Sequence, residues 1–182
     1  VRVNPSLRVS LSQPQLICFD DSAWLGAAGQ GGTPPYHYNW NPSTLIAQTA
    51  GDSALTKALG GDTVVSVTLV DSLGCQAVDS GVQKVNRPIQ VSVSSRGFTC
   101  YDDSVMLKSS FKSSTGALSY SWSPSGLVKN PAQSRTWSRK LTIGQQFVLK
   151  VTDTNHCEAQ DADSIIVNPA LSLDAGADTT IC

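Results

Sequence analysis

Short runs along this chain alternate apolar and polar side chains with a period of two, the pattern of strands that bury one face. Leu7, Val9 and Leu11 alternate with Arg8, Ser10 and Ser12, and Ile89, Val91 and Val93 do the same against Gln90, Ser92 and Ser94. Ala23, Leu25 and Ala27, with Val105 and Leu107 further on, predict a second strand in each case. A third is sharper: Tyr36, Tyr38 and Trp40 share one face opposite His37 and Asn39, and Leu118, Tyr120 and Trp122 repeat this against Ser119 and Ser121, each Trp standing before a proline turn. Val65, Val67 and Leu69, like Phe147, Leu149 and Val151, predict a strand closed by a tight Asp-Ser-Leu-Gly or Asp-Thr-Asn-His turn, and Val82 with Val85, or Ile165 with Val167, the strand that returns from it. Weaker strands are expected at about 44–62 and 126–144, and no segment has a helical period. Ser, Thr, Val and Gly are abundant and only 15% of residues are charged, so the chain is all-β. Strands at this spacing predict two-sheet Greek-key sandwiches of immunoglobulin type.

Every one of these elements occurs twice, at one constant offset equal to the step from Cys18 to Cys100. Cys18-Phe19-Asp20-Asp21-Ser22 returns as Cys100-Tyr101-Asp102-Asp103-Ser104, Asp71 and Cys75 return as Asp153 and Cys157, and Cys182 stands the same step beyond Cys100. A fixed period of this kind marks a tandem array. Residues 1–5 read as a connector from a preceding repeat, 6–86 as repeat 1, 87–168 as repeat 2, and 169–182 as a connector with the first strand of a further repeat. Repetition multiplies length and contact more readily than it serves a catalytic centre, which favours a structural or binding module. The net charge of −1 and the lack of a basic, aromatic-rich cluster argue against nucleic acid as a partner. No apolar run approaches the length of a membrane-spanning helix, so membrane insertion by this segment is not expected.

The motifs Cys18-Phe19-Asp20-Asp21, Gly31-Gly32-Thr33-Pro34-Pro35-Tyr36-His37-Tyr38-Asn39-Trp40 and Val67-Thr68-Leu69-Val70-Asp71-Ser72-Leu73-Gly74-Cys75 resemble the SprB-type, PKD-like repeats of large surface adhesins of gliding bacteria, exported by the type IX secretion system. The likeness covers essentially the whole chain. It implies tandem immunoglobulin-like sandwiches, an extracellular place on the cell surface, neighbouring repeats of the same chain as partners, surface polysaccharide as an external ligand, and adhesion in gliding motility as the role. The rival reading is an accessory glycan-binding or spacer module of a secreted hydrolase. The family pattern commonly has a Tyr ahead of the fourth alternation, where this chain holds Val65 and Phe147.

Five cysteines in an exported chain read as disulfide chemistry. The step from Cys18 to Cys75 equals that from Cys100 to Cys157, which favours Cys18–Cys75 and Cys100–Cys157 and leaves the partner of Cys182 elsewhere. Strand length raises an objection, because the turn after the first strand and the turn at Cys75 lie at opposite ends of a standard sandwich. Cys18–Cys157 is therefore the alternative. Asp20, Asp21, Asp102, Asp103 and Asp153 are weak candidate ligands for a structural Ca²⁺, with Asp71, Asp79, Asp161 and Asp163 elsewhere. The competing reading is that these residues form turns, since Asp and Ser bond local backbone amides.

No nucleophile elbow, metal-spaced His pair or phosphate loop is present, and His37 and His156 read as solvated, so no catalytic residue and no enzyme is expected. Trp40 and Trp122 are expected as core anchors. Trp24 becomes Met106 in the second copy and Trp137 is Leu55 in the first, so neither is required by the fold, and each is either a copy-specific packing residue or a platform for a sugar ring.

Overall fold

A computed structural model of the chain describes residues 5–12, 15–112, 116–173 and 176. It divides into two compact units. One comprises the described residues up to Pro88 together with the turn Thr154–Cys157; the other comprises Ile89–Asp153 and the described residues from Glu158 onward. The expected opening strand of a further repeat falls mostly outside the described residues, Cys182 with it.

In the first unit the strands are β1 (Arg8–Leu11), β2 (Trp24–Gln30), β3 (His37–Asn41), β4 (Ile46–Ala50), β5 (Ser53–Thr56), β6 (Thr63–Val70) and β7 (Gln76–Gln83). They form one sheet in the order β1-β2-β5-β4 and another in the order β3-β6-β7. Four strands in the order 1-2-5-4 facing three in the order 3-6-7 is the constant-type immunoglobulin sandwich. The fold is therefore all-β and immunoglobulin-like, a Greek key by its strand order. Its core holds Leu25, Ala27, Trp40, Ala54, Val65 and Val67, with Val9, Leu11 and Tyr38 packed against them, which are the inward positions of the period-two pattern.

The second unit contains β8 (Gln90–Ser94), β9 (Phe98–Cys100), β10 (Met106–Lys112), β11 (Ser119–Ser123), β12 (Thr136–Trp137), β13 (Gln145–Thr152) and β14 (Glu158–Asn168). Its sheets run β12-β10-β8 and β11-β13-β14-β9. The register is that of the first unit moved by one repeat: Trp40 faces Val67 as Trp122 faces Leu149, and Leu11 faces Ala27 as Val93 faces Ser109. Polar bonds that close the sandwiches also recur. Asp79 accepts from Leu11 N at 2.7 Å and Asp161 from Val93 N at 2.8 Å, so a carboxylate on the returning strand satisfies an amide of the first strand. Thr56 Oγ1 accepts from Ala23 N and Ser138 Oγ from Val105 N, both at 2.9 Å.

The two copies differ in the region of weaker strands. In the first, β4 pairs with β5 and Thr49 faces Ala54. Position 131, the counterpart of Thr49, is proline, which cannot donate to a ladder, and the second copy keeps only an isolated Val128–Ser138 bridge there. Trp122 N instead donates to Pro131 O at 2.9 Å.

Candidate functional site

The turns that carry the cysteines are built alike in both copies. Asp20 and Asp102 take left-handed backbone conformations, φ 67° and 61°, which Asp tolerates because its short polar side chain bonds locally. Asp21 N donates to Cys18 O and Asp103 N to Cys100 O, each at 3.2 Å, while Asp20 N and Asp102 N reach Leu59 O and Leu141 O at 2.9 and 2.8 Å. The Asp doublet is thus a turn former pinned to the segment that precedes β6 or β13. At the other turn, buried Asp71 accepts Leu73 N and Cys75 N on Oδ1 and Thr33 N on Oδ2. Burial alone would raise the Asp71 carboxyl, but the amide donors Thr33, Cys75 and Leu73 outweigh it and hold the group below the ordinary carboxylate value. Asp153 is buried at the matching position.

The bond that forms is Cys18–Cys157, with Cα atoms 5.4 Å apart. Cys75 and Cys100 are exposed free thiols. This is the alternative pairing, and it replaces the expected Cys18–Cys75 and Cys100–Cys157. The reason is strand length. Ile17 pairs in parallel with Val85, past the far end of β7, while Cys75 precedes its near end; an extended run of that length spans roughly 33 Å. Cys100 likewise pairs with Asn168 at one end of β14 and Cys157 stands before the other. A disulfide bridges Cα atoms less than about 7 Å apart, so within a copy the two positions cannot meet. Around the bond, Cys157 is buried and Asn86 Nδ2 donates to its sulfur at 3.4 Å.

The weak calcium candidates are engaged elsewhere or scattered. Asp102 forms an exposed 2.7 Å ion pair with Lys140, whose own pKa it raises, and Asp103 Oδ1 accepts from Ser104 N. Asp163 accepts from Ser95 Oγ at 2.6 Å. Among the described residues no group of three or more His, Cys, Asp or Glu is gathered as for a metal ion. Nor is any helix there long and apolar enough to cross a membrane.

Trp40 and Trp122 are buried in the two cores. Trp24 and Trp137 stand 61% and 43% exposed on the outer face of the β2–β5 and β10–β12 pairs. Register shows what single positions hide. Trp24 lies opposite Leu55 and Trp137 opposite Met106, so each copy has one Trp in the same cross-strand pair, on alternate strands. In the second unit Trp137 borders an open groove of about 630 Å³ with Arg96, Asp103, Ser104, Met106 and Lys108. An aromatic face beside charged donors and acceptors is chemically suited to a sugar ring.

No family model and no curated protein matches the chain. Among solved structures it is similar to the insect immune protein hemolin (13% identity, 88% of this chain and 46% of that one, TM-score 0.45). It is also similar to the eight N-terminal immunoglobulin domains of Down syndrome cell adhesion molecule (8%, 90% and 25%, 0.45) and to murine CEACAM1b (11%, 91% and 99%, 0.39). The chain spans about half the length of hemolin. The immunoglobulin-like assignment rests on the strand order given above.

Proposed function

We propose that this chain is a non-catalytic structural and adhesive repeat segment of a large extracellular, cell-surface adhesin, of the gliding-motility type exported by type IX secretion. The observation that carries the reading is the repetition itself: two sandwiches identical in register, each devoted to its own core, with polar groups engaged in turns and sheet closure rather than arranged as an acid, base or nucleophile. A disulfide in a small domain agrees with an oxidising, extracellular setting. The units serve as spacers, and weak contacts repeated along an array add up to firm attachment. Antibodies raised against the purified segment should label intact cells of the source organism and block their attachment to a surface. Labelling confined to the culture fluid, together with a co-purifying glycan hydrolase, would defeat this reading in favour of an accessory module of a secreted hydrolase.

One observation supports a surface polysaccharide as the ligand: each copy presents an exposed Trp on the same outer face. Titration of polysaccharide from the same cells should quench Trp fluorescence, and Trp24→Ala with Trp137→Ala together should abolish the response.

A further inference from the structure

The bond Cys18–Cys157 joins two positions that recur with the repeat, and in each copy one of the two is left over. Cys18 is the first copy's position and Cys157 the second copy's; Cys100 is the second copy's version of Cys18, and Cys75 the first copy's version of Cys157. We propose that the exposed thiols of Cys75 and Cys100 are half-sites of the same inter-repeat disulfide. Each is completed by the complementary cysteine of a further copy of this repeat, so that bonds of the Cys18–Cys157 kind recur once per repeat.

Both half-sites already have the geometry of the bonded pair. Cys100 opens a turn with the same 3.2 Å closure and the same left-handed Asp as Cys18. Cys75 follows Gly74 at φ 81° as Cys157 follows His156 at φ 64°, a conformation that a non-glycine residue such as His156 adopts rarely. Each leftover cysteine is exposed, whereas bonded Cys157 is 7% exposed. Asn86, which donates to the Cys157 sulfur, is buried, and its counterpart Asn168, beside Cys100, is exposed. Two independent features thus stay open at the positions that are covered where the bond exists.

The chemistry is a two-electron oxidation. Both thiols give up a proton and one S–S bond forms, while a disulfide oxidant such as oxidised glutathione takes up the two electrons and two protons to become two thiols. The inference needs the internal repeat and the observed bond, and does not depend on the adhesive reading.

The test extends the full chain in register: residues 1–182 followed by a duplicate of 101–168, so that Cys182 opens a complete third copy. After folding in glutathione redox buffer, free thiols are alkylated and disulfide-linked peptides mapped without reduction. Cys100 should be found bonded to the appended counterpart of Cys157, alongside Cys18–Cys157, with Cys75 and Cys182 alkylated. Recovery of Cys100 as a thiol, or of Cys182 bonded to the appended cysteine within one copy, overturns the proposal. A second arm covers misfolding of the added copy: the full chain carrying Cys182→Ser is oxidised at high concentration. Intermolecular Cys75–Cys100 linkage should exceed Cys75–Cys75 and Cys100–Cys100 at least tenfold, and a statistical mixture of the three counts against complementary half-sites.

Discussion

The first and second sandwiches have one register and fill it differently. In the first, Gly29 on β2 leaves room for Tyr36 and Tyr38 on the chain leading into and along β3; a Cβ at Gly29 would come within 2.7 Å of Leu69 Cδ2 and 3.0 Å of Tyr38 Oη. In the second, that position is Phe111, packed on Tyr120 with ring centroids 5.4 Å apart, and the counterpart of Tyr36 is the slimmer Leu118. Val65 of β6 becomes Phe147 of β13, fully buried. On the outer face the same exchange moves Trp from β2 to β12. Aromatic bulk shifts between neighbouring strands while the strand register stays constant, so one backbone frame accommodates two different side-chain fillings, the second of them bulkier.

The largest contrast should appear at the β6 and β13 centres. Phe147→Ala removes a whole buried ring and should cost roughly 3–5 kcal/mol, while Val65→Ala should cost about 2 kcal/mol at ~0.8 kcal/mol per buried methylene plus a small cavity. Hydrogen exchange followed by mass spectrometry resolves the two copies separately, and equal losses of protection would show that the second core does not depend on its extra bulk. A smaller difference is expected at the paired tryptophans. Trp122 Nε1 donates to Gln133 O at 2.8 Å, whereas buried Trp40 Nε1 has no partner among the described residues. Trp122→Phe should therefore cost about 1 kcal/mol more than Trp40→Phe, read from denaturant midpoints. If the two cost the same, the segment that replaces β4 in the second copy contributes nothing through that bond. The smallest effect concerns acid. Asp71 has a folded pKa below its ordinary 3.8, so its contribution is present above that value and is lost as pH falls through the lower folded one. Exchange protection of the 71–75 turn should drop below about pH 4 in the native chain. In Asp71→Asn it should be lower at neutral pH and nearly flat with acid.

Much of this was legible from residues alone where the inward face of a strand is apolar at period two, as in β6: Val65, Val67 and Leu69 are buried and their alternates are not fully buried. The strand β7 was less legible, since Gln83 is its buried position and Val82 is exposed. The loss of β4 in the second copy departs from the weaker strands expected over 126–144, because Pro131 stands where Thr49 pairs and a proline cannot donate to the ladder. Disulfide pairing was harder. Equal spacing of the two cysteine pairs suggests self-sufficient copies, yet distance along the chain says nothing of distance across a sheet; the parallel pairings Ile17–Val85 and Cys100–Asn168 place the cysteines at opposite strand ends. The shared Trp of the outer pair also required register, since Trp24 and Trp137 look unrelated until Leu55 and Met106 are set opposite them.

The Cys18–Cys157 bond also changes what happens when the chain is under tension. Its two ends lie 139 residues apart in sequence but 5.4 Å apart in space. Were both sandwiches to unravel under load, the residues between would otherwise release roughly 480 Å of slack at about 3.5 Å each. With the bond intact that contour length stays locked in a covalent loop, and load passes from Cys18 directly to Cys157. Only the backbone outside the loop can lengthen. A tether of this kind can lose its folded structure without giving up that length, and it recovers by refolding within the loop once the load is released.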